Sequence, residues 1–438
     1  MRALAVTLAV GLALLAAPAT ALLQQSVITR WVYASQNVAR SLALTNQVTS
    51  RLYAQVSVAQ YDAYKTSLQF KVSKKSPTAP NPDLAAAYAA HAVLARFAPQ
   101  LAPNPLDNLL LGEVARAGVS SKVRDASASV GVACAVKYVK IGVADRSLTV
   151  SYYRPKPASD ETVPDNVYQF SPAVPEYNQA EQTFILYPQY SNGSTFIYPV
   201  KNIPTLTGPY LNSWYKKGSP EFEAETQELL KVGGVVSERT AYQNDTAKFW
   251  LGAVGSGGGG SAGLTGMVQN ISITILPASY SVYDQAKFFA KLGAAFYDGT
   301  VTVWYVKYHA LRWRPINALR KYYNPNWAPY LPTPQHPEYP SAHQGIFGGG
   351  WGVLERAVGA AKLGNVTFSV RTDWPGIPDR TYTNLADAAA ECLDSRVFSG
   401  AHWRKAAADA FTLGYDVAGY IYDNLDKILY GTQDAPKW

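Results

Sequence analysis

An all-α fold, with two packed four-helix-bundle-like halves around an irregular Pro/Tyr-rich middle segment, is predicted by three features of the sequence. Apolar residues fill 48% of the 438 positions and charged residues only 16%, enough for a large core. On both flanks apolar side chains recur at helical spacing over long stretches. Between residues 151 and 215, Pro155, Pro157, Pro164, Pro172, Pro175, Pro188, Pro199, Pro204 and Pro209 alternate with tyrosines. Proline lacks the amide that a helix interior needs, so regular helices are not expected there, and any short strands belong in this stretch.

Residues 1–21 stand apart from the fold. Arg2 precedes an apolar run from Ala3 to Ala17, then Pro18 and a small-residue close at Ala19-Thr20-Ala21. This is the pattern of a secretory signal peptide, so a secreted protein is expected. No later segment reaches about eighteen uninterrupted apolar residues, so no membrane span is expected. Asn192, Asn244, Asn270 and Asn365 each open an Asn-x-Ser/Thr acceptor for glycan. Cys134 and Cys392 are the only cysteines, forming either one long-range disulfide or two separate thiols.

The N-terminal helical half, residues 22–150, carries a helical pattern from Val38 to Ser67 through Leu42, Leu44, Val48, Leu52, Val56, Val58, Tyr61 and Tyr64. Helices follow at Leu84–Phe97, with Asp83 as its N-cap behind Pro82, and at Lys122–Ile141. The C-terminal bundle, residues 216–438, holds helices at Pro220–Val232 and Thr246–Val254, then a glycine/serine loop from Gly255 to Gly263. Further helices are expected at Tyr280–His309, Ser341–Leu363, Asn384–Asp394 and Ala401–Leu425. Ala59-Gln60-Tyr61-Asp62-Ala63 is echoed by Ala295-Phe296-Tyr297-Asp298-Gly299, a faint sign of two related bundles.

Formal charge is +8, from 39 Lys+Arg against 31 Asp+Glu, and falls to +7 without Arg2. The basic residues are scattered, which argues against nucleic acid as a partner and suits small anions. Four of the five histidines, His309, His336, His343 and His402, fall in one segment with three basic-polar clusters. In the first, Lys307 and Arg314 are seven residues apart, close to two helical turns, and would share one face beside Trp304 and Trp313. In the second, Pro340 places Ser341 at a helix start, where free amides and the dipole favour an oxyanion, with the Ala342 amide and His343 in the first turn. The third, Ser395-Arg396 to His402 across Gly400, adds a guanidinium fork and another imidazole. Taken singly, each also reads as an ordinary basic helix end, serine cap or core histidine. Together they lack the acid or thiolate cluster that a divalent metal wants, and form a socket for a tetrahedral oxyanion such as phosphate or vanadate.

These residues resemble a known three-part motif. Lys307 with Arg314-Pro315, Pro340-Ser341-Ala342-His343, and Ser395-Arg396 with His402 match the type 2 phosphatidic acid phosphatase and vanadium haloperoxidase superfamily in order and spacing. The flanks are similar to the soluble haloperoxidase branch: Trp304, Trp313, Pro337-Glu338-Tyr339, Arg239-Thr240 with Gln243, Phe249-Trp250 and Val58–Ala63. The resemblance is strong over 239–425 and thin over 65–215. It implies a vanadate cofactor bonded through a ring nitrogen of His402, its oxygens held by Lys307, Arg314, Arg396, the Ser341 hydroxyl and the Ala342 amide. Phosphate would occupy the same place without vanadate. His343 would be the acid-base, and Lys307 would polarise hydrogen peroxide, so that halide is oxidised to hypohalous acid and small organic substrates are halogenated. His336, where bromoperoxidases of the family carry His and the chloroperoxidase type carries Phe, leans the expectation towards bromide or iodide. Asp245 is expected to pair with Arg396 from behind. The family usually has Gly where this chain has Ala342, which matters only if that backbone needs positive φ. The alternative is an acid phosphatase using the same socket, with His402 as the nucleophile on phosphorus.

Overall fold

The computed structural model describes residues 25–72, 78–147, 188–216, 218–252, 263–334 and 336–430. The signal segment, residues 151–187 of the Pro/Tyr-rich stretch and most of the glycine/serine loop lie outside the described residues. Among those described, the chain is all-α with two short strands. It divides into two compact units, one of Met1–Leu42, Gln55–Val139 and Ala278–Ala290, the other of Ala43–Ala54, Lys140–Pro277 and Lys291–Trp438.

The first unit begins with α1, Val27–Ser41, whose N-cap Ser26 accepts from the Thr29 amide. The single helix expected over Val38–Ser67 is instead two, because Ala43 turns left-handed at φ 47° before α2, Asn46–Leu68. Helix α3, Pro82–Phe97, is capped by Asn81, which accepts from the Leu84 amide at 2.9 Å. The expected cap, Asp83, sits inside the first turn because Pro82 occupies the first helical position, where no amide is needed. Helix α4, Asp107–Ala117, was not anticipated, and it closes on Gly118 at φ 56°. Helix α5 spans Ser121–Ala144. Within this unit α1 packs on α3 and α3 on α4. A forked, buried Arg30–Glu113 ion pair ties α1 to α4, both contacts at 2.6 Å. Buried Asp62 accepts from Tyr138 Oη at 2.9 Å and Lys137 Nζ at 3.2 Å. By length and composition α5 is apolar enough to cross a bilayer. Lys137 and Lys140 interrupt its apolar run.

In the second unit α6, Ile203–Leu211, lies within the stretch expected to be irregular. Pro204 is tolerated in its first turn, and Pro209 sits in a helix too short to depend on one lost hydrogen bond. Helices α7, Pro220–Val232, α8, Ala241–Gly252, and α9, Gly263–Ile275, follow. Helix α10 spans Val282–Ala310 and carries Asp298, wholly buried. Its carboxylate accepts the amides of Phe196 at 2.6 Å, Ile197 at 2.8 Å and Tyr198 at 2.7 Å, anchoring that loop. Next come α11, Pro315–Tyr322, α12, Ala342–Val358, and the short α13, Ala360–Leu363. The helix expected over Ser341–Leu363 breaks at Gly359, φ 83°. The strands β1, Phe368–Val370, and β2, Arg380–Tyr382, pair antiparallel with Ser369 opposite Thr381, beyond the Pro/Tyr-rich stretch where strands were expected. Helices α14, Leu385–Phe398, and α15, Arg404–Tyr430, complete the unit.

The α12–α15 crossing is the backbone of this unit. Gly345, Gly348 and Gly352 recur three and four residues apart and so form one face of α12. A Cβ on Gly348 would lie 2.1 Å from the Phe411 carbonyl oxygen, so the two backbones touch directly. The contact holds the start of α12, with Ser341 and His343, against α15, just before which lies His402.

Both cysteines are free and buried, and burial pushes the Cys134 thiol up to about 12. The side chains of Asn192, Asn270 and Asn365 are exposed, whereas Asn244 is half-buried and accepts from Arg239 Nε at 2.9 Å.

Candidate active site

Lys307 leaves the last turn of α10 and is wholly buried. The expectation that it shares a helical face with Arg314 is corrected here. Helix α10 ends at Ala310, Leu311 turns left-handed at φ 50°, and Arg314 is the N-cap residue of α11. The two cations still converge, because each is tied to the loop running into α12. Lys307 Nζ donates to the carbonyls of Pro337 at 2.8 Å and Glu338 at 3.1 Å. Arg314 Nε donates to the His336 carbonyl at 2.9 Å, and its Nη1 donates to the Ala401 carbonyl at 2.8 Å.

Ser341 is the N-cap residue of α12, yet its hydroxyl caps nothing. Its Oγ is buried without a hydrogen-bond partner, so the ordinary serine-cap reading fails. Ala342 has ordinary helical geometry, since the non-glycine residues with positive φ among those described are Ala43, Arg146 and Leu311. Alanine in place of glycine therefore leaves the amide unstrained.

The spacing from Arg396 to His402 follows from how α14 ends. Gly400 adopts φ 75°, the Gly400 amide bonds the Val397 carbonyl at 2.9 Å, and the Ala401 amide bonds the Arg396 carbonyl at 3.1 Å. This is a Schellman closure, which reverses the chain and carries His402 back beside the last helical turn. A Cβ on Gly400 would lie 2.4 Å from the Gly233 carbonyl oxygen, so no larger residue fits the turn.

The side chains meet through their polar atoms. Arg314 Nη1 lies 3.0 Å from His402 Nε2, and Arg314 Nη2 lies 3.1 Å from His336 Nδ1. Guanidinium nitrogens only donate, so His402 Nε2 accepts and that ring is neutral, whereas His336 Nδ1 lies between the guanidinium and the Pro337 carbonyl, 3.2 Å away. Arg396 Nη1 stands 3.4 Å from His343 Nε2, and His343 is also bonded to the Trp250 backbone. His336 packs against Trp304 with ring centroids 5.2 Å apart, and Lys307 Nζ lies 5.7 Å from the Trp304 ring. Burial, reinforced by the neighbouring cations, holds His336, His343 and His402 well below the usual imidazole range. Burial together with Arg314 lowers Lys307 well below the usual amine range. Burial also brings Arg396 down to about 10.

Two expectations need amendment. Asp245 forms no ion pair with Arg396 among the described residues; Arg396 Nε is buried without a partner. A carboxylate that sequence reasoning left as a mere flank, Glu338, lies inside the cluster instead. It is wholly buried, and its Oε1 is 3.0 Å from His402 Nδ1 and accepts the Trp403 amide at 3.2 Å. Its place in the second motif, three residues before Ser341, was the only clue in the sequence.

The donor set fits a tetrahedral oxyanion. Three buried cations face one buried carboxylate, and two donors, Ser341 Oγ and Arg396 Nε, have no partner of their own. Buried donors left unpaired are costly unless a ligand accepts from them. An anion beside Lys307 favours its charged form and opposes the lowering, so binding of inorganic phosphate is expected to be linked to proton uptake. Calorimetry in buffers of different ionisation enthalpy should register proton uptake, with affinity falling as pH rises. Proton release on binding, or an affinity that rises with pH, would contradict the reading.

The fold is that of the vanadium-dependent haloperoxidases. Residues 322–431 match the VCPO second helical-bundle domain. A bacterial vanadium-dependent iodoperoxidase aligns with TM-score 0.70 at 20% identity, over 91% of this chain and 95% of that one. A bacterial vanadium-dependent chloroperoxidase aligns with TM-score 0.60 in its holo form, at 15% identity over 88% of this chain and 93% of that one. Its apo form gives 0.58, also at 15% identity, over 86% and 94%. No curated protein matches the chain by sequence.

Proposed function

We propose that this chain is a secreted vanadium-dependent haloperoxidase that uses hydrogen peroxide to oxidise halide, bromide or iodide ahead of chloride, and so halogenates small organic molecules. The observation that carries the proposal is the buried cluster in which Lys307, Arg314 and Arg396 act electrostatically on His402, whose Nε2 accepts from Arg314, while the buried Ser341 Oγ is left without a partner. Vanadate, when bound, would supply a Lewis-acidic centre that activates hydrogen peroxide without changing oxidation state. Lys307, Arg314, Arg396, Ser341 Oγ and the Ala342 amide would hold its oxygens, and His402 Nε2 would bond the metal. Phosphate suits the same donors.

The rest of the chemistry belongs to the protein's own groups. His343, neutral and buried, accepts a proton from hydrogen peroxide at Nε2 and returns it to the departing oxygen. The fixed cations stabilise negative charge as it develops, in a site too dry to screen them. His336, neutral and packed at a tilt against Trp304, offers an aromatic, polarisable rim for a soft halide. Residues 1–21 and the exposed acceptors at Asn192, Asn270 and Asn365 support export and glycosylation.

His343→Ala separates binding from turnover. It is expected to leave oxyanion affinity within about threefold while slowing halide oxidation by about 10²–10⁴-fold. Unchanged turnover would remove His343 from the reaction. A second reading draws on the same accepting Nε2: an acid phosphatase, with His402 attacking phosphorus and His343 protonating the leaving alcohol.

A further inference from the structure

We infer that Glu338 is a positioning residue that holds His402 in the Nδ1–H tautomer, so that Nε2 presents a lone pair to the bound oxyanion. The inference rests on the reading of His402 as the group that bonds the oxyanion. A neutral imidazole in water favours its proton on Nε2, which would close that nitrogen to vanadium or phosphorus. Two contacts on opposite sides of the ring reverse this. Arg314 Nη1, a donor only, faces Nε2 at 3.0 Å, and Glu338 Oε1 faces Nδ1 at 3.0 Å. The only assignment that leaves neither contact repulsive puts the hydrogen on Nδ1, donated to Oε1.

The arrangement does not depend on the charge of Glu338. Oε1 already accepts two donors, Nδ1–H of His402 and the Trp403 amide. Oε2 is buried with no partner, so any proton taken up by this carboxyl resides there and leaves Oε1 an acceptor. Glu338 is fixed in turn: its own carbonyl accepts from Lys307, and its neighbours Pro337 and Tyr339 are buried with it. A carboxylate behind a ligating imidazole also raises the donor strength of the far nitrogen.

The test reads the tautomer directly. In ¹⁵N-histidine-labelled protein, with His402 assigned by its loss in His402→Ala, Nε2 is expected at a pyridine-type shift and Nδ1 at a pyrrole-type shift. Glu338→Gln keeps an oxygen acceptor and should keep that tautomer. Glu338→Ala should shift it towards Nε2–H and weaken both vanadate and inorganic phosphate by about 10–100-fold, with Glu338→Gln falling in between. A wild-type His402 carrying its proton on Nε2 overturns the inference without any variant, as does Glu338→Ala with wild-type tautomer and affinity. Should Glu338→Ala fail to fold, the wild-type and Glu338→Gln spectra decide. A chain that oxidises no halide yet shows these shifts with phosphate would refute the haloperoxidase reading and leave this one standing. A vanadate-dependent peroxidase with Nε2–H would do the reverse.

Discussion

His402→Ala is expected to weaken vanadate binding by more than about 100-fold, beyond the loss of an outer partner, and to abolish halide oxidation. The size of the effect follows from the geometry. His402 is the imidazole whose free ring nitrogen faces Arg314, and its ring is wholly enclosed. Removing it leaves three cations that still attract an oxyanion electrostatically but cannot bond it. Weak anion binding should therefore survive, with its salt dependence increased. Stoichiometric vanadate retained by the variant after gel filtration would refute the role of His402 as ligand.

Gly414→Ala is expected to cost about 3 kcal/mol or more of stability, although only one methyl is added. Gly414 lies on α15, and its Cβ would stand 2.1 Å from the Gly345 carbonyl oxygen and 2.9 Å from the Gly349 amide of α12. Both neighbours are backbone, so neither can swing aside. Separating the helices would also move Ser341 and His343 away from His402, so oxyanion affinity should fall together with the urea midpoint. Gly299→Ala is the control: it is helical, nothing lies within 4 Å of the added Cβ, and a gain of up to about 1 kcal/mol is expected. Equal midpoints for the two variants would contradict the account of the crossing.

The three motifs were legible because each is a local device with a required spacing. Six positions separate Arg396 from His402 because a Schellman closure consumes a fixed number of residues. Ser341 was legible as a helix start from Pro340, but that its hydroxyl is left unpaired depends on packing by α15, where the Ala406 carbonyl accepts the Ser341 amide at 2.9 Å. Glu338 was illegible as a site residue because its partner lies 64 positions away and no periodicity links the two. Lys307 and Arg314 were placed on one helix because nothing in the sequence marks Leu311 as left-handed, a conformation leucine seldom adopts. The same blindness joined α1 to α2 across Ala43. Helix α4 escaped notice because Pro103 and Pro105 crowd its approach and its outward face carries Leu111, 64% exposed. The pairing of Asp245 with Arg396 came from resemblance alone, and no ion pair between them forms among the described residues.

The most direct test of the central claim uses the full chain, stripped of phosphate and assayed for bromination of a phenol-type dye with bromide and hydrogen peroxide. The account predicts no bromination without vanadate, activity on adding orthovanadate, and suppression by excess phosphate competing for the same donors. Bromination that ignores vanadate, or none with vanadate while a phosphate ester is hydrolysed and vanadate blocks that hydrolysis, would contradict it.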